Sequence, residues 1–249
     1  MTLRRFHVRP EAIEGTRLRF DAEEAQHMAR ALRLTPGDLV AAVDGSGRQY
    51  TVRLEHVTAG AAVGTVLSTA WSATESPLAI TLAQGVPKGD KFETVIRAAT
   101  ELGVARIAPV ITERTVVRLD TGRWRERARR WQRVAKEAAK QCGRAVIPLV
   151  EPPRPLAEFL EAAPAGSLRL CLWEGEGRGL DSVLAQLGEP VLAAVVLIGP
   201  EGGLAAAEVD LAVARGFSSV SLGQRVLRTE TAGPTIVSIL QSRLGDLGR

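Results

Sequence analysis

The chain has 249 residues, 45% of them hydrophobic and 24% charged, a globular balance too apolar for a disordered chain and long enough for one large domain or two modest ones. Its longest purely apolar run, Val191–Ile198, has eight residues, against roughly 18 for a membrane-spanning helix, and the opening Met1-Thr2-Leu3-Arg4-Arg5-Phe6-His7 lacks the apolar core of a signal peptide. Cys142 and Cys171 make neither a disulfide framework nor a CxxC site, so a cytoplasmic location is expected. The net charge of +4 is unevenly spread: Arg118 to Arg144 holds ten basic and three acidic residues, +7, which leaves −3 for the remainder. A local positive field of this kind suits a polyanion such as RNA.

Up to about Ser76 the pattern predicts short strands. Arg17–Phe20 reads as a strand and Ala22–Leu34 as a short amphipathic helix with Ala25, Met28, Ala29 and Leu32 on one side. Leu39–Val43, Tyr50–Val57 and Ala62–Leu67 read as strands, with a hairpin signal at Asp44-Gly45-Ser46-Gly47. So many short strands suggest a small β-barrel. Trp71 to Pro77 is polar and proline-ended, as a linker is.

Beyond it the rhythm becomes strand, helix, strand. Strands are predicted at Leu78–Ala83, Ile107–Ile111, Leu168–Trp173, Val191–Ile198 and Ser219–Leu222. Helices are predicted at Lys91–Leu102, Arg123–Gln141, Ala205–Arg215 and Gly233–Arg243. Such alternation implies a parallel sheet covered by helices, hence an α/β domain. In the long helix Trp124, Ala128, Trp131, Ala135, Ala138 and Cys142 form the stripe expected to be buried. Arg125, Arg129, Arg133, Lys136 and Lys140 lie along another face.

Absent motifs narrow the chemistry. There is no GxxxxGK[ST], HExxH, GxSxG or GxGxxG; Gly175-Glu176-Gly177-Arg178-Gly179 misses the last by one position. All three histidines, His7, His27 and His56, lie before the α/β part, so a histidine triad or metal site is not expected there. What stands out is the apolar run ending at Ile198, then Gly199-Pro200-Glu201-Gly202-Gly203 and a helix. Ligands in parallel sheets bind at strand carboxyl ends, where glycine permits close approach. Glu201 would repel a pyrophosphate. The loop therefore fits a neutral or cationic ligand, such as the sulfonium and amine of S-adenosylmethionine, or equally a tight turn with an acid near a helix start. A second loop, Leu222 to Pro234, also follows a strand and precedes a helix. It carries Arg228 and Glu230 close together, or else Thr229 or Thr231 merely caps the helix.

Gly199-Pro200-Glu201-Gly202-Gly203 with Leu222-Gly223 and Leu227-Arg228-Thr229-Glu230-Thr231-Ala232 resembles the RsmE family, methyltransferases of the SPOUT superfamily acting on 16S ribosomal RNA. The resemblance runs the length of the chain. It takes in Arg4-Arg5-Phe6, His27 with Leu32-Arg33-Leu34 and Gly37-Asp38, Pro87-Lys88-Gly89-Asp90-Lys91, Thr100-Glu101-Leu102-Gly103-Val104 and Gln141-Cys142-Gly143-Arg144. Thr115 stands where the family has serine, and Lys140 where it has glutamate.

The resemblance implies a PUA-like β-barrel over residues 1–74, serving RNA binding, and a SPOUT methyltransferase domain over 75–249 with a C-terminal trefoil knot. It implies a homodimer, no metal, and methylation of N3 of uridine 1498 in 16S rRNA of the small ribosomal subunit. It places S-adenosylmethionine among Leu172, Trp173, Gly175, Ile198, Gly199, Glu201, Gly202, Leu222, Gly223, Val226, Leu227 and Thr229. The expected chemistry is carried by Arg228, stabilising the uridine anion, and Glu230, as base or as a partner orienting Arg228. RNA contacts are expected from Arg4, Arg5, Lys88, Arg114, Arg125, Arg129, Arg133 and Arg144. The alternatives are a SPOUT methyltransferase with another rRNA or tRNA target, a non-catalytic RNA-binding protein, and a nucleotide-using hydrolase, the last weakened by the missing phosphate loop.

Overall fold

A computed structural model describes residues 3–175 and 177–248. Met1 and Thr2 of the opening segment, Glu176 of the glycine run and Arg249 lie outside the described residues. The chain divides into two compact units: Met1–Glu75 with Ala139–Ile147, and Ser76–Ala138 with Pro148–Arg249.

The first unit holds β1 (Arg5–His7), β2 (Ile13–Glu14), β3 (Arg17–Phe20), helix α1 (Ala22–Gln26), β4 (Leu39–Val43), β5 (Arg48–Val57) and β6 (Ala62–Trp71). The strands form one sheet in the order β1-β4-β5-β6-β3-β2, antiparallel except for β1 on β4. They share a core of Phe6, Leu18, Phe20, Met28, Val40, Val52 and Leu54. The predicted helix starts as expected, with the Asp21 side chain accepting the Glu24 N–H, and then widens into a π-helical turn at His27–Ala31. β6 runs to Trp71, into the stretch read as linker, because Trp71 pairs with Arg48 on β5, whose guanidinium lies 5.4 Å from the indole.

Residues 139–147 join this unit through charge. The Glu75 carboxylate accepts from the Arg144 guanidinium at 2.7 and 3.1 Å, and from the Ala145 and Val146 N–H groups at 3.0 and 3.1 Å. Lys140 lies 2.7 Å from Glu24, which gives the lysine at this position a carboxylate partner.

In the second unit come β7 (Ala79–Gly85), α2 (Lys91–Glu101), β8 (Arg106–Ile111), α3 (Thr121–Cys142), β9 (Leu149–Val150), β10 (Arg154–Pro155) and α4 (Leu156–Glu161). They are followed by β11 (Leu168–Leu172), β12 (Arg178–Gly179), α5 (Leu180–Leu184), β13 (Ala193–Ile198), α6 (Ala206–Ala214), β14 (Ser218–Ser221) and α7 (Thr229–Leu244). The sheet order is β10-β8-β7-β13-β11-β14-β12, with β9 beside β8, and every pairing is parallel. The predicted strands and helices all appear. The short β9, β10, β12, α4 and α5 carry too few periodic residues to be read in advance.

β13 is buried on both faces, as a central parallel strand must be. Val195 and Leu197 pack with Phe159, Leu160, Val209 and Phe217, and on the other face Gly233 of α7 approaches Ile198 and Leu82. Cys171, beside β13 on β11, is fully buried; burial and then the charge of Glu208 push its thiol up to about 12. α7 begins four residues before the predicted start, with Pro234 inside it. Trp131 of α3 is buried, edge-on to Phe92 at 4.4 Å, while Cys142, expected in the buried stripe, is exposed. Thr115 uses its hydroxyl as a serine would, accepting the Thr112 N–H at 2.9 Å.

Candidate active site

β13, β11 and β14 are neighbours in the sheet and parallel, so their carboxyl ends deliver three loops to one edge. Residues 173–175, 199–201, 203–204 and 222–228 of these loops border a cavity of about 580 Å³, together with Lys91 and the first turn of α7. That is an ordinary size for a small-ligand site.

Close packing fixes the loops. A Cβ on Gly85 would lie 2.5 Å from Pro200 N, and one on Gly199 would lie 2.6 Å from the Gly203 carbonyl carbon. Gly203 itself has φ +70°, a conformation costly to any residue with a Cβ. Beneath them, Gln84 at the end of β7 is fully buried. Its Nε2 donates to the Thr229 hydroxyl at 2.8 Å and to the Gly199 carbonyl at 3.2 Å, and the Thr229 hydroxyl donates to that carbonyl at 2.7 Å. One amide thus ties the glycine loop to the start of α7. Arg114 adds an outer tie, donating to the Gly202 carbonyl at 2.7 Å.

The cavity is electrically balanced. Its charged border residues are Lys91, Arg225 and Arg228 against Glu174, Glu201 and Glu230, a poor match for a polyphosphate. Glu201 accepts from Lys91 Nζ at 3.0 Å and from the Lys88 N–H at 3.1 Å. Burial alone would raise its carboxyl, but its own backbone amide, Lys91 and the Lys88 N–H outweigh burial and hold it below the usual range. Apolar walls come from Leu172, Ile198, Leu204, Val220, Leu222 and Leu227. Apolar surface for an aromatic base, carboxylates for cationic groups and exposed loop backbone make a donor set that fits S-adenosylmethionine.

A family model described as RNA methyltransferase domain matches residues 74–241, and one described as RNA methyltransferase PUA domain matches residues 20–67. Ribosomal RNA small subunit methyltransferase E of Synechocystis sp. is 37% identical over 234 residues, covering 93% of this chain and 75% of that relative. This chain belongs to the ribosomal RNA small subunit methyltransferase E family. Its namesake in Bacillus subtilis is 31% identical, with 84% of each chain covered. The structure of the Neisseria gonorrhoeae family member bound to S-adenosyl methionine matches with a TM-score of 0.88 and 32% identity, over 98% of this chain and 99% of that one. A methyltransferase from Legionella pneumophila in complex with the cofactor SAM matches with a TM-score of 0.88 and 34% identity, over 99% and 100%. The fold is therefore the family's, a small PUA domain and a SPOUT-type α/β domain.

Against the family expectation, Leu172, Trp173, Gly175, Ile198, Gly199, Glu201, Leu222, Gly223, Val226, Leu227 and Thr229 all border the cavity, as do Arg228 and Glu230. Gly202 does not; it faces Arg114 instead. Arg228 and Glu230 do not pair. Arg228 is the N-cap of α7 and Glu230 its second residue, and side chains two apart on a helix diverge. Glu230 instead faces Lys91, at 4.0 Å. Neither Thr229 nor Thr231 is the cap.

Among the expected RNA contacts, Arg4, Lys88, Arg114, Arg125, Arg129 and Arg133 are exposed. Arg5 is half-buried and donates to Gln49. Arg144 departs from the expectation of a solvent-facing cation: it is 5% exposed and clamped on Glu75 within the first unit. Two residues that shape the site, Lys91 on its border and Gln84 beneath it, are not singled out by the sequence. Lys91 closes the Pro87–Lys91 motif, whereas nothing in sequence marks a buried glutamine as a cross-brace.

Among the described residues no group of three or more His, Cys, Asp or Glu side chains could hold a metal ion, and no helix is long and apolar enough to cross a membrane.

Proposed function

We propose that this chain transfers a methyl group from S-adenosylmethionine to N3 of uridine 1498 of 16S rRNA in the small ribosomal subunit. The observation that carries the reading is the charge-balanced cavity at three adjacent strand ends, in a chain whose relatives of the same fold include one solved with S-adenosyl methionine. The cofactor supplies an electrophilic methyl on a sulfonium. Leu172, Ile198, Leu222 and Leu227 offer its adenine an apolar slot, and Glu174 and Glu201 face its cationic groups. Arg228, whose side chain has no ion-pair partner among the described residues, is the cation available to the uracil anion. The Glu230 carboxylate, with Oε2 buried and lacking a hydrogen-bond donor among the described residues, is the acceptor for the N3 proton.

In this reading residues 1–74 serve RNA binding and 75–249 carry the chemistry. Arg125, Arg129 and Arg133, four apart on α3, exposed and without ion pairs among the described residues, form the phosphate-contact row. The reading also includes a trefoil knot around the cofactor, a homodimer and a cytoplasmic setting.

The test is mass mapping of 16S RNA from cells lacking this protein. One methyl should be missing from one uridine, and purified protein with S-adenosylmethionine should restore it. An unchanged methylation pattern would refute the assignment.

A further inference from the structure

Lys91 has a geometry that charge balance alone does not call for. It is the first residue of α2, and its ammonium reaches two carboxylates from separate loops: Glu201 Oε1 at 3.0 Å and Glu230 Oε2 at 4.0 Å. The second distance is too long for a hydrogen bond. Only one of the three ammonium N–H bonds is therefore committed among the described residues. The side chain is 43% exposed while it borders the cavity. Glu201 already receives the Lys88 N–H, so Lys91 brings donors in excess of what that carboxylate lacks.

The chemistry of the proposed substrate needs such a donor. Losing the N3 proton leaves a uracil anion whose charge spreads onto O2 and O4, the two oxygens flanking N3. The electron pair that takes the methyl lies in the ring plane, along the line the proton left. A cation placed on that line would block transfer, so stabilisation has to come at the flanking oxygens, one on each side. Three cations border the cavity, Lys91, Arg225 and Arg228; among the described residues Lys91 is the one that lies beside the Glu230 carboxylate, at 4.0 Å, and Arg228 stands two residues before Glu230 as the N-cap of α7.

We infer that Lys91 donates a hydrogen bond to one of the two uracil carbonyl oxygens while Arg228 serves the other. The inference rests on the methyl-transfer reading above. The N3–H bond breaks with its proton passing to Glu230. The pair left on N3 forms the new N–CH3 bond as the S–CH3 bond breaks, and the bonding pair of S–CH3 stays on sulfur, leaving a neutral thioether. Two flanking cationic donors also select the base, because uracil offers acceptors on both sides of N3 whereas cytosine turns an amino group toward one of them.

The experiment is single-turnover methylation of small-subunit RNA at saturating S-adenosylmethionine, comparing wild type, Lys91→Met and Lys91→Arg. It is run across pH, and with the target uridine replaced by 5-fluorouridine, whose N3–H is more acidic. Lys91→Met should slow the step on the order of 10²-fold and displace the rate profile to higher pH. It should regain more from 5-fluorouridine than wild type does, and Lys91→Arg should keep part of the rate. If Lys91→Met does not fold, Lys91→Gln carries the same measurements. The inference is overturned if the methionine or glutamine variant weakens cofactor binding yet matches wild type in saturated rate, pH profile and response to fluorine; Lys91 would then only brace Glu201. If wild type methylates no uridine, it is the methyl-transfer reading that has failed.

Discussion

The cavity loops and the outer face of α3 are both rich in charge, but the charge is handled in opposite ways. In the cavity three of the six charged groups are locked on one another: Glu201 takes Lys91 and the Lys88 N–H, and Glu230 faces Lys91. On α3, Arg125, Arg129 and Arg133 stand exposed without ion pairs among the described residues, whereas neighbouring Arg130 is spent on Glu93 at 2.6 Å. A site that must place one methyl on one nitrogen needs its groups pre-positioned. A surface that grips a phosphate backbone needs only unspent cations. Substitutions should therefore act on rate and affinity in the first region, and on salt dependence in the second.

The largest expected effect is at Arg228, a cavity cation without an ion pair among the described residues and the N-cap two residues before Glu230. Arg228→Ala should lower kcat by about 10²–10³-fold, with cofactor affinity little changed because the side chain makes no ion pair or hydrogen bond to the loops among the described residues. Turnover assays and calorimetric titration of S-adenosylmethionine separate the two. Full activity in this variant would contradict the pre-positioning argument at its centre.

Next comes the brace beneath the loops. Thr229→Val keeps the shape but removes the hydroxyl that joins Gln84 to the Gly199 carbonyl. A buried polar group left unmatched costs about 1–3 kcal/mol, which should appear in thermal unfolding, accompanied by weaker cofactor binding. Arg129→Gln on the exposed face of α3, where that side chain makes no buried hydrogen bond among the described residues, should show neither.

A smaller and different effect is expected from that helix. Changing Arg125, Arg129 and Arg133 together to Gln should leave unfolding within about 0.5 kcal/mol. Binding to small-subunit RNA should weaken, and the dependence of log K on log salt should flatten by about 2, at roughly 0.7 per lost phosphate contact. An unchanged slope would remove this face from the RNA interface.

The same contrast explains what the sequence made legible. The parallel sheet and its ligand loops could be read because glycine-rich breaks after apolar strands are local signals, and Gly199 to Gly203 and Leu222 to Thr229 carry them. Partners fixed by folding could not. Lys91 reaches Glu201 across 110 residues and Gln84 reaches Thr229 across 145. Arg228 and Glu230, two apart in sequence, are separated by the turn of α7. Arg144, read as one more cation of the basic stretch, is buried on Glu75 because residues 139–147 return to the first unit. A linear charge count cannot tell a spent arginine from a free one.

The smallest prediction uses pH to set the two regions apart. Glu201 is held below the ordinary carboxylate range in the folded chain, so between its folded and unfolded values the unfolded chain binds the extra proton and stability rises with pH. The contribution is complete above the unfolded value and is lost as pH falls through the folded one. Glu201→Gln removes the charge at every pH. The difference in Tm between wild type and this variant should thus be greatest near neutrality and close as the solution is acidified below the usual carboxylate range. The glutamine variants of the α3 arginines alter no carboxylate, so they should differ from wild type by a constant amount. A gap at Glu201 that persists in acid would mean that the carboxylate is held by its shape and not by Lys91 and the Lys88 amide.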